Sequence, residues 1–328
     1  MGRYIGDQNL VGFYYESGTY ANVSGALQWI GMVQEVNPDE STGIIEVRYQ
    51  GSNDRNVDQL VNGPLDYTGT FTYYPQDWKF LMFALGSIVD AGSPSPYTHE
   101  IKESNSADGN QFTSGTDNPF ISFGLEIAQQ HTDGHNFIRT VKGAMVNSMT
   151  ITISQGEVIS CDIDYVAKES VFSSGTASSL TPTTTRPFMW SDNQVHLPSG
   201  TVLDNVKEVS LTINNNIAPQ HYINGSREPS TPVPLNRDYE LSLTLDANSE
   251  WTKTLYDQYF IGGSEFNMML VVDASTGSRD AYIIMSGCKI MDMEAPQAVE
   301  GVNEQTISIK PKSVNVNVND AIEKYAPW

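Results

Sequence analysis

The stretch Tyr67–Gly86, YTGTFTYYPQDWKFLMFALG, limits what this chain can fold into, because the chain uses it twice. It reads as a strand, Tyr67–Tyr74, then a break at Pro75 and a short helix stopped by Gly86. Trp78, Leu81, Met82 and Leu85 are spaced i, i+3, i+4, i+7, which is one helical face. The second copy is Asp238–Gly263, DYELSLTLDANSEWTKTLYDQYFIGG, with its helix expected over 249–260.

Further pairs support a repeat. At an offset of 144 residues (287 minus 143), Gly143-Ala144-Met145-Val146 lies over Gly287-Cys288-Lys289-Ile290. Without a gap, Met149 then meets Met293, Val158 meets Val302, Ile163 meets Ile307 and Lys168 meets Lys312. Upstream, Tyr67 and Phe71 lie over Tyr239 and Leu243, and Trp78 nearly over Trp251. Gly63-Pro64-Leu65 matches Val233-Pro234-Leu235, and Tyr49-Gln50-Gly51-Ser52 resembles Ile223-Asn224-Gly225-Ser226. The elements follow one order in both halves, so the expectation is a duplication. Two similar domains in one chain fill two equivalent places in a ring, so a ring of six single domains becomes a trimer of double domains.

Between these anchors the pattern is mostly β. Strands are expected at Leu27–Val36, at Gly43–Gln50 after a turn at Asn37-Pro38-Asp39-Glu40, and at Phe120–Gln129 and Asn136–Lys142. Gly143–Ser154 and Val158–Ala167 read as a hairpin around Gln155-Gly156. In the second half, strands are expected at 194–196, 208–214, 239–245, 266–273, 280–285, 288–293 and 306–310. The domain expectation is an N-terminal arm over 1–24 and a first domain over 25–168 with a long polar loop at 87–118. A Ser/Thr-rich linker over 169–190, a second domain over 191–315 and a tail over 316–328 complete it. The alternating Ser313–Asp320, SVNVNVND, reads as an exposed or added strand.

Charge narrows the function. The chain carries 39 acidic against 18 basic residues, net −21, which repels nucleic acid rather than gripping it. No apolar run approaches the roughly 18 residues that span a bilayer, and the N-terminus has no signal-peptide core, so neither membrane insertion nor secretion is expected. Gly2 follows Met1, but Gly6 stands where myristoylation wants Ser or Thr. Cys161 and Cys288 lie in strand-like runs and read as buried thiols.

No phosphate loop, dinucleotide glycine pattern, HExxH, CxxC or GxSxG is present. His131, Asp133 and His135 offer metal-ligand types, but in a polar turn that nothing holds rigid. His99, His196 and His221 are scattered. Asp162 and Asp164 share one strand face and read as its solvent side rather than a catalytic pair. Asn22-Val-Ser and Asn224-Gly-Ser match a sequon too common to weigh. Trp78 and Trp251 read as core. No catalytic, cofactor-binding or metal residue is assigned, and no cofactor is expected.

The sequence resembles the tail tube (major tail) proteins of tailed viruses, of the double-domain kind. TFTYYPQDWKFLMFALG with Pro96-Tyr97-Thr98-His99 after it carries the likeness, as do GAMVNSMTITISQGEVISCDIDYVAKE, PSGTVLDNVKEVSLTINNNI and NRDYELSLTLDANSEW, over roughly residues 25–315. The resemblance implies a mainly β fold with one short helix per repeat. Two tandem β-sandwich or barrel domains would give their sheets to a ring with a continuous inner β-barrel. It implies a structural, non-enzymatic virion protein, assembled in the host cytoplasm, whose trimeric, pseudo-hexameric rings stack into the conduit for DNA delivery. Its partners would be itself and tape-measure, terminator, baseplate or sheath proteins, with genomic DNA passing without specific binding. The arm 1–24 and loop 87–118 would make inter-ring contacts. Alternatives are another ring of a viral tail or injection machine, such as a baseplate hub or tail terminator, and a carbohydrate-binding or hydrolytic β-sandwich.

Overall fold

The computed structural model describes residues 9–16, 20–51, 55–92, 96–104, 121–130, 136–198, 200–247, 253–274, 279–294 and 303–325. The first half contains β1 (Asn9–Glu16), β2 (Val23–Gln28), β3 (Met32–Ser41), β4 (Ile45–Val47), β5 (Gln59–Val61) and β6 (Asp66–Tyr74). After a helical turn come β7 (Gly86–Ala91), β8 (Tyr97–Glu103), β9 (Phe123–Gln129), β10 (Phe137–Ser154), β11 (Ser160–Ala167) and β12 (Glu169–Ser173). The second half contains β13 (Asn193–His196), β14 (Val202–Leu203), β15 (Val206–Asn214), β16 (Ile217–Gln220), β17 (Ser230–Pro234) and β18 (Asp238–Asp246). After a helix come β19 (Phe266–Ala274), β20 (Arg279–Glu294), β21 (Glu304–Lys310) and β22 (Ser313–Asp320). The fold is mainly β.

Eight strands form one long antiparallel sheet in the order β3-β6-β11-β10-β15-β18-β21-β20. Two outer sheets accompany it, β2-β1-β9-β10-β12 and β14-β13-β19-β20-β22-β8-β7. β10 and β20 serve two sheets each. Gly143 (φ 66°) and Gly287 (φ 61°) stand where these strands pass between sheets, in a left-handed conformation that side chains resist. The apolar faces of all three sheets meet in one core.

The two halves correspond strand for strand. β3-β6-β11-β10 has the order of β15-β18-β21-β20, and β1-β9-β10-β12 that of β13-β19-β20-β22. The irregularities match too. β3 bulges between Val33 and Glu35, and β15 between Val206 and Glu208. β10 bulges between Val146 and Ser148, and β20 between Ile290 and Asp292. Lys168 N–H reaches Lys142 O at 3.1 Å, and Lys312 N–H reaches Ser286 O at 3.0 Å. One pairing read from sequence shifts by two residues. Ile45 opposes Val61 as Ala218 opposes Val233, so Val61, not Gly63, is the counterpart of Val233.

Several local expectations are corrected. Residues 37–40 are no turn: Asn37, Pro38, Asp39 and Glu40 continue β3 opposite Thr70, Gly69, Thr68 and Tyr67. Among the described residues β3 is an edge strand, where the missing N–H of Pro38 costs no ladder bond. The strand expected at Gly43–Gln50 shrinks to Ile45–Val47, whose side chains stay exposed. The helix after Pro75 is only a 3-10 turn, Lys79–Leu81, and one α turn, Met82–Leu85, closed by Gly86 at φ 98°. It has no polar face, since Phe80, Phe83 and Ala84 are as buried as Trp78 and Leu81. Phe80 makes edge contacts with Phe13, Phe71 and Phe123. Its counterpart, Leu255–Ile261, has π-type hydrogen bonding, with Leu255 and Tyr259 buried and Tyr256 and Ile261 exposed. The start of that helix and Trp251 lie outside the described residues.

The segments read as arm, loop, linker and tail are also more ordered than their composition suggests. β1 lies between β2 and β9 with Phe13, Tyr14 and Tyr15 buried. The start of the loop 87–118 is the β7–β8 hairpin, which the first half adds to the outer sheet of the second through β8–β22; residues 105–118 lie outside the described residues. β22 is neither exposed nor at an edge: β20 and β8 flank it, and Val314, Val316 and Val318 are buried. In 169–190, Phe188 is buried and stacked on Trp78 at 5.4 Å, with the Arg279 guanidinium 5.0 Å over its ring. The Gln76 amide donates to the carbonyls of Thr183 and Thr185, and Arg186 grips Asp192 through two bonds of 2.6 and 2.8 Å.

Candidate functional site

Strand alternation gives the long sheet one apolar face and one polar face. Phe71, Ile163, Met149, Leu211, Leu243 and Ile307 enter the core. The residues between them make a carpet of hydroxyls and carboxylates. From β6 come Thr68, Thr70 and Thr72; from β11, Asp162 and Asp164; from β10, Ser148, Thr150 and Thr152. From β15 come Glu208, Ser210 and Thr212; from β18, Asp238, Glu240, Ser242 and Thr244; from β21, Glu304, Thr306 and Ser308. Glu35 and Asp39 of β3 and Asp292 and Glu294 of β20 continue the carpet to both edges, opposite Thr72, Thr68, Ser308 and Thr306.

Short polar contacts tie the carpet together. Thr72 Oγ1 donates to Asp162 Oδ1 at 2.5 Å, Asn147 Nδ2 to Asp164 Oδ2 at 2.8 Å, and the Thr150 and Thr212 hydroxyls meet at 3.0 Å. Lys207 bridges Asp246 and Glu304, each at 2.7 Å, and Lys310 reaches Asp238 at 3.0 Å. The face is strongly acidic, and Lys207 and Lys310 on it are engaged by carboxylates of the same sheet.

The sheet ends in two open edges. Among the described residues β3 pairs only with β6, and residues 289–294 of β20 pair only with β21. A groove of about 540 Å³, lined by Val33, Val36, Pro38, Ile127, Phe137 and Arg139 among others, runs along the β3 edge. Arg139 donates to Pro38 O at 3.2 Å there.

Of the residues weighed in the sequence, Asp162 and Asp164 belong to this carpet, and the other described ones fall elsewhere. His131, Asp133 and His135 lie outside the described residues. Among those described, no three His, Cys, Asp or Glu side chains gather as metal ligands would. Asp162 and Asp164 stand on an open sheet face, spent on Thr72 and Asn147. Trp78 is core. Cys161 and Cys288 are buried free thiols; burial pushes both up, Cys288 to about 11. His221 meets Asp66 at 2.9 Å on the surface. His99 is fully buried, Nδ1 2.6 Å from Asp90 and Nε2 3.1 Å from Asp320 and 2.9 Å from Ile322 O, with its ring stacked on Tyr325 at 3.9 Å. What sequence reasoning missed is the carpet. Its signal was present as Thr or Ser at every second position in TGTFTYY, SMTITIS, VSLTIN and TISIK.

A sequence model of the family described as phage tail tube protein matches residues 21–322, nearly the whole chain. The chain belongs to that family. The family is structural, which fits a polar sheet face and, among the described residues, two sheet edges open for pairing. Membership carries assembly with further copies and other tail proteins, and a place in the virion tail. No helix among the described residues is long and apolar enough to cross a membrane. No curated protein sequence matches the chain.

Proposed function

We propose that three copies close into a ring, that rings stack into the tail tube, and that the polar sheet face lines the lumen through which DNA is delivered. The observation that carries this is the long sheet: an even number of antiparallel strands, open at both ends, with edges that run in opposite directions. The β20 edge of one copy can therefore continue onto the β3 edge of the next in the same alternating sense. Three eight-stranded sheets give twenty-four strands, which at about 4.8 Å spacing and about 40° tilt close a backbone cylinder roughly 48 Å across. After the lining side chains, that leaves room for a DNA duplex. A carpet of hydroxyls and carboxylates, with Lys207 and Lys310 already ion-paired, repels phosphates, so DNA slides.

The pseudo-sixfold character rests on tandem duplication, with domains over 25–168 and 191–315. The matched strand orders, bulges and left-handed glycines support it. Tape-measure, terminator, baseplate or sheath proteins are the further partners in this reading. Negative-stain microscopy and native mass determination of the purified protein test it. Tubes of regular width built from units of about 109 kDa (three times 36.2 kDa) are expected. A species that stays monomeric at high concentration overturns the reading, and single rings that never stack favour a hub or terminator ring.

A further inference from the structure

We propose that adjacent copies join in one defined register, copied from a junction that already exists inside the chain; this rests on the ring reading above. The surface formed by β3 and the β4–β5 hairpin of one copy docks on β20 and β21 of a second copy, as β15 and β16 already sit against β10 and β11.

The template is the β10–β15 junction. There Ser148 opposes Asn214, Met149 opposes Ile213 and Thr150 opposes Thr212. The matched bulges fix the transposition. Moving β10 by 144 residues gives β20, and moving β15 back by 173 residues (206 minus 33) gives β3. Between copies, Asp292 then opposes Ser41, Met293 opposes Glu40 and Glu294 opposes Asp39. A slip of one residue would turn the apolar face of a strand toward the lumen, so register is strongly specified.

The hairpin supplies an independent sign. At the internal junction Ile217 is buried, 7% exposed, in a cluster with Met145 and Val166, and its N–H donates to Asn147 Oδ1 at 2.8 Å. The counterpart of Ile217 is Ile44, which is 59% exposed; Met291, at the place of Asn147, is 62% exposed. These two bare apolar side chains sit at opposite ends of the sheet, and the transposed register brings them together. The stems of Lys289 and Lys310 stand where Met145 and Val166 stand inside the chain.

The seam between copies differs in one chemical respect. Inside the chain, the Thr150 and Thr212 hydroxyls bond across the junction. Between copies, the same place holds Glu294 against Asp39, like charges directly opposed. Closure of the ring is therefore opposed by repulsion that the covalent junction lacks, and salt relieves it.

The test is a pair of cysteines in the full chain. Asp39→Cys with Glu294→Cys replaces two exposed carboxylates, at positions whose internal counterparts touch, while the native thiols stay buried. Mild oxidation is expected to yield intermolecular disulfides up to a covalent trimer. Asn37→Cys with Glu294→Cys, a two-residue slip, should stay uncross-linked. Rings by microscopy with cross-links only in the slipped pair, or in neither, overturn the register and leave the ring reading intact. Absence of both rings and cross-links overturns both. In wild type, going from about 0.1 M to about 1 M salt shortens screening from about 10 Å to about 3 Å and should promote ring formation. Asp39→Thr with Glu294→Thr should form rings at about two- to fivefold lower concentration at low salt. A variant no different from wild type overturns the repulsive seam.

Discussion

His99 shows how much one buried polar side chain organises. It comes from the β7–β8 hairpin of the first half, and its partner Asp320 closes β22 of the second. The Tyr325 hydroxyl donates to Asp320 at 2.5 Å, its N–H reaches Asp90 at 3.3 Å, and its carbonyl accepts the Tyr15 hydroxyl. Asp77 and Arg279 act on Asp320 from nearby. Burial disfavours the imidazolium, but the hydrogen bonds and charges of Asp320 and Asp90 outweigh it and hold His99 above the ordinary histidine range. The folded state binds this proton more tightly than the unfolded state. Its contribution is thus complete below about pH 6.5 and is lost as pH rises through the raised value. Thermal unfolding should show the wild-type midpoint falling over that window, with a flatter profile for His99→Gln. Phe188, between Trp78 and Arg279, makes a second residue-scale case. Phe188→Ala should cost about 3–5 kcal/mol in denaturant unfolding, as for a packed core aromatic rather than a linker residue.

At the scale of elements, the paired glycines give a comparison within one chain. Gly143 and Gly287 hold the same left-handed conformation at the same crossing. A Cβ on Gly143 would meet the Tyr20 ring at 2.7 Å, and that ring is pinned by a 2.8 Å bond from its hydroxyl to Gly143 O. A Cβ on Gly287 would meet the Lys312 side chain, also at 2.7 Å, which can swing away. Gly287→Ala should cost about 1–2 kcal/mol for the backbone alone, and Gly143→Ala distinctly more; equal losses in urea unfolding would sink this account. Both glycines were legible in the sequence, and so was the strand alternation, because a buried sheet face imposes period two. The helix length was not legible. Trp78, Leu81, Met82 and Leu85 suggested a free face, yet Phe80 and Phe83 also find sheets to pack on. Pro38 signalled a turn because sequence alone does not reveal that its strand is an edge. Ser313–Asp320 looked like a strand in want of a neighbour, and the inserted β7–β8 hairpin supplies one.

For the whole molecule, the decisive property is the sign of charge on the long sheet rather than the total of −21. Asp162, Asp164, Glu208, Asp238, Glu240 and Glu304 share one face, and Lys207 and Lys310 are neutralised there. If that face lines the conduit, its acidity sets how freely DNA moves, and reversing it should convert passage into retention. Thr70 and Ser308 are exposed on this face. Thr70→Lys with Ser308→Lys adds two cations per copy while leaving the core untouched and both edge strands unsubstituted. Tubes of the variant should form as in wild type and should retain linear duplex DNA in sedimentation at low salt. Retention should fall steeply as salt rises, because counterion release drives it. Wild-type tubes should retain none under the same conditions. Equal retention by both, or binding that ignores salt, would place the acidic face somewhere other than the lumen, since only a lining surface meets the phosphates along the full length of the tube.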